Sequence, residues 1–343
     1  MTAAPANPIP ASPRSAGQAF RGSASLIDPR TLMRIKGLEL RARAIVQGFM
    51  SGLHRSPYHG FSVEFTEYRQ YTVGDDPRYI DWKLYARSDR LYVKRFEDET
   101  NLRCWLLVDN SKSMHFGTVK DDARQSPGIA MPGLWTKADY AATLAATFAY
   151  FLSTQRDAAG LVSFDEDIRE YLPARYRPGH LRRLMVALER TPEGKGTNLT
   201  EPLKRVADLV TKRGIHVLIS DLLAPLNGLE THLGYLRSRG HEVMVFHLLD
   251  PAELSLAFDD AAMFYDVESQ RELYVDPDLI RKQYTQRMGE HLKAIEVICD
   301  KQGVDYHRIT TDTPLELALF DFLSGRQMIK RTVMRRQGEG RRG

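Results

Sequence analysis

The sequence predicts an α/β protein: a doubly wound, mostly parallel sheet with an N-terminal helix and a small β-containing segment packed on it. Three observations lead there. Short apolar runs bounded by turn residues alternate with segments of helical periodicity from about residue 101 to 330. Several of these runs, such as Trp105 to Val108, and Ile215 to Ile219 with His216 as its one polar residue, are nearly continuous in apolar character, as strands buried on both faces are. Each ends abruptly at polar residues, and ligands of open parallel sheets bind beyond such carboxyl ends.

Bulk composition limits the possibilities. The 343 residues are 43% apolar and 27% charged, ordinary for a globular chain, and the net charge of +4 is too small to imply nucleic acid by itself. Cys104 and Cys299 have no CxxC partners, which predicts core thiols in a reducing compartment. No apolar run reaches the roughly 18 to 20 residues of a membrane helix. The first 27 residues are rich in Ala, Pro and Ser and lack the apolar centre of a signal peptide. A cytoplasmic protein without membrane insertion is therefore expected. Its organisation divides into a disordered arm (1–27), an N-terminal helix and dense segment (28–100), the α/β domain (101–330) and a basic, disordered tail (331–343).

Taken in order, Asp28-Pro29 is a cap followed by a first-turn proline, and Ile35, Leu38, Ile45, Phe49 and Leu53 approximate one helical face. Residues 61–95 interleave aromatics and arginines. Asp75, Asp76, Asp81, Asp89, Glu97, Asp98 and Glu99 nearly neutralise those arginines, so ion pairing rather than phosphate binding is expected. Alternation at Tyr92 to Phe96 predicts a strand. The strand Leu102 to Val108 follows, then a polar insertion at roughly 117–134. A helix from about Thr136 carries Tyr140, Leu144, Phe148 and Phe151 and ends at Asp157-Ala158-Ala159-Gly160. Leu161 to Phe164 and Ile168 to Leu172 read as an edge hairpin. A helix at 179–190, a loop through Gly196-Thr197-Asn198, and a helix through Leu203 and Val210 come next. Strand Ile215 to Ile219 ends at Ser220-Asp221. A helix at 227–239, strand Glu242 to Leu249, a hairpin at 263–275, a long helix from Asp276-Pro277, strand Val304 to Ile309 and helix Leu315 to Leu323 complete the pattern.

The chemistry converges on one sheet edge. Asp109, Ser111 and Ser113 follow the first strand of the domain, Thr197 opens a helix, and Asp221 ends a later strand. An all-oxygen set of carboxylates and hydroxyls suits a hard cation, Mg²⁺ or else Mn²⁺ or Ca²⁺. Ser111 and Ser113 are assigned as direct hydroxyl ligands, Thr197 as direct or near, and Asp109 and Asp221 as acting through waters. The groups that would touch the ion directly are poor in negative charge, and the site would be completed by a carboxylate from another molecule. Lys137 is read as a surface residue, and the ten histidines show no zinc spacing.

The Asp-x-Ser-x-Ser, Thr, Asp constellation resembles the metal-ion-dependent adhesion site of von Willebrand factor A domains. The runs Glu64 to Tyr71, Gly74 to Trp82, Ala86-Arg87, His247 to Glu253 and Phe264 to Glu268 resemble the bacterial domain-of-unknown-function 58 family. That family is von Willebrand A-like and typically encoded beside MoxR-type AAA+ ATPases. The resemblance implies a non-enzymatic, metal-dependent adaptor. Its partners would be a MoxR-type AAA+ ATPase and a client protein, in chaperone-like maturation of complexes. The competing reading is a metal-dependent phosphatase or phosphotransferase with Asp109 as nucleophile. Ser111 stands where such enzymes carry a second acid, which counts against it.

Overall fold

The computed structural model describes residues 27–53, 67–72, 82–95, 102–120, 134–190, 199–223, 226, 228–256, 258, 261–265 and 272–325. The expected disordered arm (apart from Ile27), the basic tail, the loop carrying Thr197 and much of the dense segment between 54 and 81 lie outside the described residues.

Two helices, α1 (Pro29–Leu32) and α2 (Leu38–Leu53), open the described chain. They stand where a single helix is expected. Asp28 does cap the first, accepting from Arg30 N at 2.8 Å, but Gly37 at φ +92° takes a left-handed turn that interrupts the helix. Next come β1 (Glu67–Gln70), α3 (Trp82–Ser88) and β2 (Tyr92–Arg95), with β1 and β2 paired antiparallel. The α/β domain then runs β3 (Arg103–Asp109), β4 (Val119–Lys120), β5 (Leu134–Trp135), α4 (Lys137–Thr154), β6 (Ala158–Phe164), β7 (Ile168–Arg175) and α5 (His180–Leu188). It continues through α6 (Thr200–Leu209), β8 (Ile215–Ser220), α7 (Leu229–Ser238), β9 (Glu242–Leu249) and α8 (Pro251–Ser255). The last elements are the antiparallel pair β10 (Ala262–Tyr265) and β11 (Glu272–Val275), then α9 (Pro277–Gln302), β12 (Asp305–Thr310) and a helix over 315–325, α10.

Six strands form the main sheet in the order β12-β9-β8-β3-β6-β7, all parallel except the edge strand β7. Period-2 alternation along β3 builds both cores. Cys104, Leu106 and Val108 face one side, with Phe148 of α4, Phe246 of β9 and Phe322 of α10. Trp105 and Leu107 face the other, with Leu203 of α6, Leu233 of α7 and Ile295 of α9. Leu106 and Leu107 are fully buried, each worth about 2 kcal/mol of burial, and the strand is apolar from Cys104 to Val108 for that reason. The alanines of α4 bring α2 close: Ala146 packs with Leu38 and Ala42.

One boundary moves by several residues. Ala158, Ala159 and Gly160 belong to β6 instead of ending the preceding helix, which stops at Thr154. Gly160 is there because β7 crosses closely. A Cβ at this position would lie 2.6 Å from Ala174 N and 2.8 Å from Leu172 O, next to a register shift in the β6–β7 ladder.

Topology positions the site. From β3 the chain crosses through α4 to β6 on one side, and later returns to place β8 on the other. The β3/β8 boundary is thus where the winding reverses, and a crevice opens at the carboxyl ends of such strands.

Candidate metal centre

The parallel register pairs Val108 with Ile219, so Asp109 and Ser220 end neighbouring strands side by side. Both are fully buried. Asp109 accepts from Ser111 N at 2.9 Å through one carboxylate oxygen and from Ser220 Oγ at 2.5 Å through the other. Ser220 Oγ in turn accepts from Leu222 N at 3.0 Å. Ser111 precedes a single 3-10 turn, Lys112–His115, anchored in the core by fully buried Met114. That turn brings the Ser111 and Ser113 hydroxyls to 3.0 Å from each other.

Asp221 follows at once after β8 and is fully buried. Its backbone is held from behind. The imidazole of His247 lies 2.7 Å from the Asp221 carbonyl and 2.8 Å from the Tyr306 hydroxyl. A carbonyl only accepts, so Nε2 carries the proton and Nδ1 accepts from Tyr306. Burial pushes His247 down to about 4, which keeps the ring neutral and this assignment fixed at ordinary pH. Leu222 sits at φ +49°, a left-handed conformation unfavourable for a leucine; such strain is held at a strand end by the bonds on either side of it.

Lys137 overturns its expected place on the surface. It is the first residue of α4 and fully buried, with Nζ 2.8 Å from Asp221 Oδ2 and 2.5 Å from Glu253 Oε1. The Phe116 ring covers it, its centroid 5.9 Å from Nζ. Burial opposes the ammonium charge, but Asp221 and Glu253 outweigh burial and raise its pKa. Glu253 belongs to a capping box on α8: Asp250 accepts from Ala252 N, and Glu253 accepts from Asp250 N at 2.8 Å. Asp250 also accepts from Thr118 N at 2.9 Å and from Thr311 Oγ1 at 3.1 Å, tying the loop after the 3-10 turn to the end of β12. The sequence held one signal for Lys137, its position directly behind the Thr136 N-cap of a helix leading from the carboxyl edge of the sheet. Nothing local marked Glu253 as its partner.

The fold therefore brings Asp109, Ser111, Ser113 and Asp221 together at one edge of the sheet, while Thr197 lies outside the described residues. Burial first, and then the nearby charge of Asp221, raise the Asp109 carboxyl to about 7. Two buried carboxylates that repel each other form a site short of positive charge. Among the described residues no group of three or more His, Cys, Asp or Glu could hold a metal by itself. An ion here would depend on the serine hydroxyls. The donor set fits that requirement: oxygen only, two hydroxyls side by side and two acids behind them.

The sequence matches the family described as "Protein of unknown function DUF58" over residues 67–294, about two thirds of the chain. The chain belongs to the DUF58 family. Among curated proteins this DUF58 chain is similar to the uncharacterized protein Rv1480 of Mycobacterium tuberculosis (strain ATCC 25618 / H37Rv), 28% identical over 257 residues. That match covers 74% of this chain and 76% of the relative. The uncharacterized protein Mb1516 of Mycobacterium bovis is similar to the same extent. Among solved structures, BatB from Bacteroides thetaiotaomicron is 14% identical, with a TM-score of 0.41 over 68% of this chain and 99% of that one. An aerotolerance-related membrane protein from Bacteroides fragilis is 14% identical, with a TM-score of 0.40 over 63% of this chain and 96% of that one. The SpRpn10 VWA domain is 11% identical, with a TM-score of 0.35 over 64% of this chain and 93% of that one. In the DUF58 chain itself, no helix among the described residues is long and apolar enough to cross a membrane.

Proposed function

We propose that the DUF58 chain is a non-enzymatic protein-interaction module that captures an acidic side chain of its partner through a divalent cation. The observation that carries this reading is the meeting of Asp109, Ser111, Ser113 and Asp221 at the reversal point of the sheet. Ser111 and Ser113 would hold the ion through their hydroxyls, with Thr197 beside them. Asp109 and Asp221 would act through water, supplying charge from behind. A bound ion would supply Lewis-acid attraction for an outside carboxylate. Around it this chain's own groups orient the ligands: Ser220 turns Asp109, His247 fixes the backbone of Asp221, and Met114 anchors the serine loop.

We further propose that the partner is a MoxR-type AAA+ ATPase, that the two act on a client in chaperone-like maturation of complexes, and that this happens in the cytoplasm. The family resemblance supports that reading. The enzymatic alternative draws no support from the geometry. Asp109 is fully buried, and both of its oxygens accept hydrogen bonds from the protein, which would compete with attack on a phosphoryl group and makes this the less favoured reading.

The test is a pulldown with wild type and Ser111→Ala, each in Mg²⁺ and in EDTA, with captured proteins identified by mass spectrometry. An AAA+ ATPase retained only by wild type in Mg²⁺ is the expected result. The same proteins in all four samples would remove the metal from the interaction.

A further inference from the structure

We propose that Lys137 is the site's resident counter-cation. It holds affinity for a divalent ion low until a partner's carboxylate joins the ion. This inference rests on the metal-binding reading above and concerns how that site is regulated.

The placement of Lys137 is unfavourable on two counts. A cation is disfavoured in the first turn of a helix, where the peptide dipoles present their positive end. Lys137 is the first residue of the 18-residue α4. An ammonium is also expensive to bury unless it is paired, and this one is fully buried. Asp221 Oδ2 at 2.8 Å and Glu253 Oε1 at 2.5 Å offset both penalties. The aromatic face of Phe116 completes the enclosure.

One of those two carboxylates is shared. Asp221 is the acid that the proposed ion would draw on, and it is already bound to Lys137. Three carboxylates, Asp109, Asp221 and Glu253, surround this region with one ammonium among them. Lys137 would repel a divalent ion bound without a partner, and among side chains this deeply buried that repulsion would be strong. A carboxylate on the partner would add negative charge next to the ion and offset that local repulsion from Lys137. Metal and partner would therefore bind cooperatively, each raising the affinity of the other by the same factor. The partner chemistry this implies is an exposed Asp or Glu side chain.

The experiment is calorimetric titration of Mn²⁺ into the full chain, as wild type, Lys137→Met, Lys137→Gln and Lys137→Arg, with unfolding temperatures recorded alongside. The neutral variants are expected to bind Mn²⁺ about tenfold tighter or more, and to gain more in unfolding temperature on adding it, while Lys137→Arg stays near wild type. Wild-type binding that is unchanged or weaker in both neutral variants overturns the proposal, because Lys137 would then serve to position Asp221. Lys137→Met leaves two buried carboxylates unpaired and can fail to fold, so a second measurement uses wild type alone. Its Mn²⁺ affinity is titrated with and without a short peptide carrying one aspartate. A rise of about fivefold or more with the peptide supports the proposal, and no change overturns it. If none of the four proteins binds Mn²⁺, with or without peptide, the metal-binding reading fails along with this one. Failure confined to the variants leaves that reading standing.

Discussion

Replacing Asp109 by asparagine tests whether this crevice lacks positive charge. Asparagine keeps the shape. Its carbonyl can accept from Ser111 N, and its amide can donate to Ser220 Oγ in place of the hydrogen bond now seen there. It removes only the charge. The folded carboxyl titrates near 7 against an ordinary 3.8, because burial first and Asp221 second disfavour the ionised form. A raised folded-state value means that this group's contribution to stability is whole below 3.8 and is lost as pH rises toward 7. At about 1.4 kcal/mol per pH unit, the loss over that whole range is about 4 kcal/mol, and the part above pH 5.5 is about 2 kcal/mol. Urea unfolding in EDTA at pH 5.5 and pH 8 measures it. The advantage of Asp109→Asn over wild type is expected to grow by about 2 kcal/mol between those values, which at these sizes is about 4–8 °C in unfolding temperature. Titrating groups remote from Asp109 cancel in the difference. Mg²⁺ should shrink the growth in wild type by stabilising the ionised carboxylate. An advantage that stays constant with pH would refute the account of Asp109 as a buried, repelled carboxylate.

Two further outcomes follow from the scaffold. Gly160→Ala drives a Cβ to within 2.6–2.8 Å of β7 backbone atoms, so a loss of about 1–3 kcal/mol in urea unfolding is expected; near-neutral behaviour would mean the ladder can open there. His216 is fully buried, stacked on Trp105 at 5.2 Å, with neither nitrogen hydrogen-bonded among the described residues. Burial first, and then His241, lower its pKa to about 3. A lowered histidine value means the unfolded chain takes up the proton first, so stability is lost as pH falls from 6.5 toward 3. His216→Leu removes that loss, and its advantage over wild type in urea unfolding should grow by about 2 kcal/mol between pH 7 and pH 5. A gap that does not widen would show the imidazole finds a partner in acid.

How much of this was legible beforehand differs by element. The runs 105–108, 215–219 and 242–249 were readable as buried strands because both faces of each are covered, which makes them almost wholly apolar, with His216, Glu242 and His247 as the exceptions. The polar stop after each run marked the sheet edge. Asp109 and Asp221 could be placed on that edge, since strands alternating with helices run parallel and all end on the same side of the sheet. Gly37 was harder: a helical face continues past it in sequence, and only its left-handed backbone breaks the helix. Ala158 to Gly160 suit a helix end as well as a strand. The close passage of β7 settles the matter, and that contact is with residues twelve to fourteen places further on.

By itself, then, the sequence determined the α/β architecture, the family and which side chains reach the sheet edge, because periodicity and turn chemistry are local properties of the chain. The tertiary structure alone decided that Lys137 is buried on Asp221, with Glu253 from a strand and helix more than a hundred residues away completing the pair. A lysine behind an N-cap looks like a solvated residue until the fold supplies two carboxylates and removes the water. Its charge then becomes part of the site.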